Sequence, residues 1–139
     1  MKALALLLLS GIIAAGCASS EKKSLDKSKI ENLVEIHPPL HKSYTKSKVY
    51  IDSVQLIDDN DRRALLVSGS FPDGCTRLDR AAHTVNNGEV ELSLSAWRDP
   101  EMMCAQVLTP FSFIYNGLTE EELDQRPAIL INGTTFEIK

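Results

Sequence analysis

Three cysteines are the residues of this chain whose type and spacing could do chemistry: Cys17, Cys75 and Cys104. A thiol–disulfide enzyme uses two cysteines separated by two residues at the start of a helix. Cys75 and Cys104 are 29 positions apart, so that chemistry is not expected. Cys17 directly follows an apolar segment near the start of the chain, and it therefore needs a separate explanation.

The segment before Cys17 has the form of an export signal. Lys2 supplies a positive charge, and residues 3–15 form an apolar run that is short for a membrane span and is followed by polar sequence. Ala14-Ala15-Gly16-Cys17 resembles the lipobox of bacterial lipoproteins, with Ala14 where leucine is commoner. The resemblance implies cleavage before Cys17 and acylation of its sulfur and its new N-terminus. The alternative is an ordinary secretory signal with a cysteine nearby.

The residues after Cys17 predict a tether and a destination. Two or three acyl chains on Cys17 would anchor the protein stably in a lipid bilayer. Ala18 and Ser19 lack the aspartate that resembles an inner-membrane retention signal, so the outer membrane is expected where the cell has one. The polar, lysine-rich composition of residues 17–47 predicts a flexible tether. The expected division is a signal peptide over 1–16, this tether, and a domain over 48–139.

Cysteine parity predicts a disulfide. Once Cys17 is acylated, Cys75 and Cys104 are an even pair in an exported protein, where a bridge is the default. Closing a loop of about 30 residues stabilises a fold by roughly 3 to 4 kcal/mol in the chain-entropy model. That contribution is large for a small domain.

Other reactive residue types do not form a recognisable site. Residues 48–139 contain one histidine, His83, and no Gly-x-Ser-x-Gly elbow for nucleophilic catalysis. Met102 and Met103 could bind a soft metal, but neighbours in a strand face opposite sides. No metal, no cofactor and no enzymatic activity are therefore expected.

Composition and charge limit the class of protein. The chain is 43% hydrophobic and 24% charged, which is typical of a soluble domain. Residues 18–50 carry seven lysines against four acids, whereas residues 51–139 carry seven basic residues against fifteen acids, a balance of −8. An acidic domain is not expected to bind nucleic acid.

The apolar pattern from Val49 onward is that of strands and turns. Asn86-Asn87-Gly88 and Asn132-Gly133 are hairpin signals, and the spacing of Thr119 and Glu122 predicts one capped helical turn. About seven short strands separated by turn signals predict an all-β sandwich. The strand-like segments are Val49–Ile57, Arg63–Phe71, Arg80–Val85, Glu89–Trp97, a segment starting at Cys104–Leu108, Phe111–Tyr115, Ala128–Ile131 and Thr135–Ile138.

Several motifs together resemble a family of small exported bacterial envelope domains. They are Gly69 to Thr76 with its Pro-Asp-Gly-Cys-Thr run, Arg98, Pro100, Met103 to Phe111, and Ile131 to Gly133. The resemblance implies an immunoglobulin-like antiparallel β-sandwich with a Cys75–Cys104 bridge, and it assigns no catalytic residue. The acidic stretch from Thr119 to Arg126 departs from the family, which usually has a short glycine-containing turn there.

The end of the strand Glu89–Trp97 is the candidate contact site. If Val90 and the alternate residues after it fill the core, Trp97 lies on the outer face beside Arg98. Exposed Trp and Arg are enriched at binding hot spots. The alternative is a bulge before Asp99 that turns Trp97 inward against the disulfide.

These observations leave two classes of function. The first is a membrane-anchored, non-catalytic binding or adaptor lipoprotein whose partner is an unidentified envelope protein. The second is an inhibitor of a hydrolase, such as a lysozyme or protease, that inserts the disulfide-braced turn from Pro72 to Arg77.

The anchor is tested by replacing Cys17. In a bacterial host, we expect the protein to incorporate labelled palmitate and to partition into detergent, because Cys17 is the acylated residue. The Cys17→Ser variant should do neither. Labelling that persists in this variant would exclude the lipoprotein interpretation.

Overall fold

Two β-sheets packed face to face form the protein. The computed structural model describes residues 25–40, 43–124 and 126–139. The strands are β1 Thr45–Ser47, β2 Tyr50–Asp59, β3 Arg62–Phe71, β4 Arg77–Asn86, β5 Glu89–Arg98, β6 Thr109–Tyr115, β7 Ala128–Ile131 and β8 Thr134–Glu137. The predicted all-β sandwich is confirmed, with eight strands.

One sheet has three strands and the other has five. The first has the order β2-β3-β6, with antiparallel pairs. In the second, β4 pairs with β5 along its length, while β1 and β7 pair with different ends of β5 and β8 pairs with β7. The β5–β7 pair is parallel. β5 is therefore the central strand of the larger sheet.

The core follows the period-2 alternation of the strands. On β5 the side chains of Val90, Leu92, Leu94 and Ala96 are all buried, as their alternation predicts. β3 and β6 face them from the other sheet, where Phe71 and Phe111 stack with ring centroids 4.4 Å apart. The remaining core side chains include Val54, Leu65, Val67, Leu78, Phe113, Leu118, Leu123, Ile129 and Ile131.

The short turns have the chemistry that hairpins require. Asn87 and Gly88 have φ values of 50° and 78°, and Asn132 and Gly133 have 49° and 79°. Two successive positive φ angles match the twist of the flanking strands, and Asn and Gly tolerate them best. Both predicted hairpins are confirmed.

Between β6 and β7 lies a single helical turn, α1 Glu120–Leu123. The Thr119 side chain accepts from the Glu122 amide while the Glu122 carboxylate accepts from the Thr119 amide, which is the predicted capping box. Leu123 is buried, and Arg63 of β3 forms ion pairs with Glu120 and Asp124. The acidic stretch is therefore packed onto the sandwich.

Two strand predictions differ from the structure. No strand begins at Cys104, because residues 103–108 form an irregular loop that no neighbouring strand pairs, and β6 starts only at Thr109. β1 lies within the stretch expected to be tether. Its three residues are too few to give a periodic signal.

The stretch from Leu25 to His37 lies against the sandwich, which differs from the expected flexible tether. We call it the strap. Its backbone pairs with β6 through Val34 N to Ser112 O and Ser112 N to Asn32 O, each 2.8 Å. Farther along, His37 N donates to Leu78 O of β4, also at 2.8 Å. The strap therefore crosses the gap between the edge strands of the two sheets.

The C-terminus closes the opposite gap. Ile138 forms a parallel bridge with Val54 of β2, and Lys139 exchanges two backbone hydrogen bonds with Val54 and Leu56. The residues at both ends of the described chain therefore satisfy sheet edges that would otherwise be open to other strands. No helix within residues 25–40, 43–124 or 126–139 is long and apolar enough to cross a membrane. The signal segment and Cys17 lie outside the described residues.

The strap's contribution to stability is tested with two neighbouring truncations. Ile36 is half-buried against the core, so Ile36→Ala in the full-length protein should lower the free energy of unfolding by about 1 to 2 kcal/mol. Leu40 is 84% exposed, so Leu40→Ala should change it by less than about 0.5 kcal/mol. Urea unfolding measures both. Equal effects of the two variants would contradict the packing of the strap.

Candidate functional site

A buried carboxylate organises the turn between β3 and β4. Asp73 is 2% exposed, and its Oδ1 accepts hydrogen bonds from the amides of Cys75 and Thr76 and from the Thr76 hydroxyl, at 2.9 to 3.0 Å. The Thr76 hydroxyl also lies 2.9 Å from the hydroxyl of Ser47 in β1. The turn is therefore tied to a strand of the larger sheet.

Arg98 completes this network at the end of β5. Its Nη1 lies 3.1 Å from Oδ2 of Asp73, and the Arg98 side chain is 26% exposed. Burial alone would raise the pKa of Asp73, but the hydrogen bonds from Cys75 and Thr76 and the charge of Arg98 outweigh it and lower that pKa. Asp73 is therefore held as a carboxylate.

A disulfide joins this turn to the following loop. Cys75 and Cys104 are bonded, as their parity predicts, with Cα atoms 5.6 Å apart. Gly74 N donates to Ala105 O at 3.2 Å, a second connection between the same two segments. Residues 99–108 are thus held in place although no strand pairs with them.

The braced loop carries large apolar side chains that face solvent. We define the apolar loop surface as Met102, Met103, Val107 and Leu108 of this loop together with Leu40, which lines a groove with Met102. Leu40 is 84% exposed, and the four loop side chains are 52%, 100%, 58% and 63% exposed in that order. The sequence pattern predicts a strand at Leu108 and does not mark Met102 or Met103 as partner contacts, whereas the structure leaves all three exposed. The signal that could have found this surface is the run of apolar residues without alternation around Cys104.

Trp97 lies on the outer face of β5, but it is not fully open to solvent. Its register partners are Lys46 and Arg77, and its indole Nε1 donates to the carbonyl of His37. Tyr44 packs edge-on against the indole with ring centroids 6.3 Å apart. The strap and the residue before β1 therefore cover part of Trp97, and Trp97 belongs neither to the core nor to a free surface.

An apolar groove connects Trp97 to the apolar loop surface. Its volume is about 470 Å³, and Pro38, Leu40, Trp97 and Met102 line it with the polar side chains of Arg77 and Asp99 at its edge. A groove of this size falls within the range of ligand sites. The structure thus brings Trp97, the disulfide and the loop to one end of the sandwich, which we call the disulfide end.

Residues 65–138 match the ORF11 beta-sandwich domain family. The chain belongs to this family. The matched region contains Cys75, Trp97, Arg98 and Cys104, while the strap, β1 and β2 precede it. No curated protein and no solved structure matches the chain.

A second polar cluster in this ORF11 beta-sandwich domain lies near α1. His83 Nδ1 is 2.6 Å from the Tyr115 hydroxyl, and His83 Nε2 is 3.6 Å from Glu122. Burial, and then the charge of Glu122, raises the pKa of Tyr115, while the Thr119 amide lowers the pKa of Glu122. The cluster joins β4, β6 and α1, and its members satisfy one another, as in a structural clamp.

The described residues contain no group of three or more His, Cys, Asp or Glu side chains that could hold a metal ion. His83 lies near α1, whereas the methionines lie at the disulfide end. A soft-metal site built from Met102, Met103, Cys104 and His83 would need all four side chains together, but His83 is apart from the others and Cys104 is in the disulfide.

The Asp73 network is tested by its pH dependence. Because folding lowers the pKa of Asp73, its contribution to stability is complete above the unfolded pKa of about 3.9 and is lost as pH falls through the lower folded pKa. Asp73→Asn should cost about 1 to 3 kcal/mol at neutral pH. In urea unfolding, the difference from the wild type should narrow in acid. Asp99→Asn is the control, because among the described residues the Asp99 carboxylate accepts only from the nearby Glu101 amide. If Asp73→Asn lowers the free energy of unfolding by the same amount at every pH, Asp73 is not a stabilising carboxylate in the folded protein.

Proposed function

We propose that the chain is a lipid-anchored protein of the cell envelope whose β-sandwich is a non-catalytic binding module for an envelope protein. The observation that carries this proposal is the apolar loop surface, which a disulfide holds exposed at one end of the sandwich. Several large apolar side chains that face solvent on one short loop are a common mark of an interaction site. Methionine suits such surfaces because its unbranched side chain adapts to its partner.

The bracing of the loop supports a binding role. The disulfide, the Gly74–Ala105 hydrogen bond and the Asp73 network restrict the loop before any partner arrives. A restricted loop loses less conformational entropy on binding, so more of the contact energy appears as affinity. Trp97 would contribute its half-exposed indole beside the groove, while Arg98 is mainly engaged with Asp73.

The path of the chain supports a partner other than the anchoring membrane. Leu25 N donates to Asp58 O, so the strap reaches the sandwich at the β2–β3 hairpin. The ten residues of β3, about 33 Å, separate that hairpin from the Asp73 turn. The eight residues from Cys17 to Leu25 extend at most about 28 Å. An anchor at Cys17 would therefore keep the hairpin near the membrane, and the apolar loop surface would face away from it. We propose that this membrane is the outer membrane where the cell has one.

The same loop supports a second candidate, an inhibitor of a hydrolase such as a lysozyme or protease. A rigid protruding loop is what such inhibitors insert into an active-site cleft. The turn from Pro72 to Arg77 is a poor wedge, because Asp73 and Thr76 are buried. The wedge would instead be residues 101–108, whose Met103 is fully exposed.

A cross-linking experiment in intact envelopes tests the proposal. The wild-type protein should capture a protein partner, and the double variant Met103→Ser, Val107→Ser should lose that capture with unchanged thermal stability, because both side chains are exposed. Val85→Ser is the matched control, since Val85 is 44% exposed on a different part of the molecule. Undiminished capture by the double variant would overturn the loop assignment. If the captured partner is a hydrolase, and the wild-type protein abolishes its activity while the double variant does not, the inhibitor is favoured.

A further inference from the structure

A second cleft lies on the outer face of the larger sheet, away from the apolar loop. Its volume is about 620 Å³. The side chains that give it chemical character are Tyr44, Lys46, Asp79, Arg80, Ser93 and Ser95. The binding role proposed for the apolar loop surface does not involve this cleft.

The shape of the cleft follows from the sequence of β4 and β5. The outward positions Ala82, Ser93 and Ser95 carry small side chains, and Ala82 lies directly opposite Ser93. Longer side chains flank them, with Arg80 on β4 and Lys46 on β1. A register shift between Leu78 and Arg80 marks a bulge, which re-aims side chains at a sheet surface. The result is a shallow trough between two cations.

The charge of the trough is opposite to that of the domain around it. Residues 51–139 carry a balance of −8, yet the trough contains Lys46 and Arg80 against the single acid Asp79. Asp79 already accepts a hydrogen bond from Ser95 at 3.3 Å. Both cations are exposed, and within the part of the chain that the structure describes neither forms an ion pair. A local positive potential on an acidic domain attracts an anionic ligand.

We propose that this trough binds an anionic sugar chain. Lys46 and Arg80 would hold a carboxylate or phosphate group, since ionised partners make the strongest hydrogen bonds. The hydroxyls of Ser93 and Ser95 both donate and accept, which matches sugar hydroxyls. The Tyr44 ring, 44% exposed, offers a flat apolar face to a sugar ring.

The size and charge of the trough fit an anionic sugar better than a phosphate ion or a nucleic acid. A free phosphate ion is far smaller than a trough of about 620 Å³, which is in the range of organic ligands. A nucleic acid carries a dense row of phosphates and requires many cations, which this acidic domain lacks. An anionic sugar carries fewer charges among many hydroxyls, and this matches two cations beside two serines.

Calorimetry on the full-length protein in detergent tests the proposal. The probes are a short oligogalacturonate, its neutral methyl ester, a phosphorylated oligomannose and inorganic phosphate. We expect saturable binding of at least one of the two anionic sugars and none of the neutral ester. The single tryptophan gives a second readout, because Trp97 packs against Tyr44. Which anionic sugar binds more tightly distinguishes a carboxylated polymer from a phosphorylated glycan as the source.

Matched variants locate the binding. The double variant Lys46→Gln, Arg80→Gln should weaken affinity about tenfold or more, because two charge-assisted hydrogen bonds are lost. Arg62→Gln should have no effect, since Arg62 is exposed at the β2–β3 hairpin. The proposal is overturned by equal binding of the neutral ester, by phosphate binding as tightly as the sugars, or by unchanged affinity in the double variant. In a separate sedimentation assay with anionic lipid vesicles, binding that depends on Lys46 and Arg80, with no binding of either anionic sugar, also overturns it.

Discussion

The disulfide end of the molecule depends on one buried carboxylate. Asp73 is taken out of water at a cost that its three hydrogen bonds and the Arg98 guanidinium offset. Through these contacts, the turn after β3, the end of β5 and, by way of Thr76, strand β1 become one unit. The loop at 99–108 then needs only the disulfide and one backbone hydrogen bond to be placed. Because a covalent bond and polar contacts fix the position of the loop, its apolar side chains are not needed for packing and stay exposed.

A second constraint is the pair of gaps between the sheets. Stacked sheets with open edges expose backbone donors and acceptors, and here the residues at each end of the described chain close one gap. The strap does so with few apolar residues, chiefly Val34 and Ile36 packed against the core. This packing would also shorten the link to a lipid anchor. If Cys17 is lipidated, only the residues between Cys17 and Leu25 separate the lipid from a segment that pairs with the sandwich.

Local rules explain what could be predicted from the sequence. Residues close together in the chain determine the inward face of β5, the two Asn-Gly hairpins and the capping box, so each could be predicted locally. The disulfide could be predicted from the number of cysteines. The strap could not be predicted, because its pairing with Ser112 and Leu78 is non-local and its composition is polar. The sequence left Trp97 either on the outer face or turned inward. The strand register places it outward, but only the distant Tyr44 and His37 decide how much of it is covered. The exposure of Met103 could not be predicted either, because the strand predicted to start at Cys104 does not form and the segment is a loop instead.

The distribution of charge gives the domain a direction. Acids gather where the β2–β3 hairpin meets α1, at Asp58, Asp59, Asp61 and Glu120 to Glu122. Lys27, Arg62 and Arg63 offset only part of this negative charge. Lys46 and Arg80, which form no ion pair among the described residues, lie instead on the outer face of the larger sheet. If the chain is lipidated at Cys17, as we propose, an anionic membrane surface would repel the acidic hairpin end that the lipid holds beside it. That repulsion would favour an upright domain with its apolar loop turned away from the lipid.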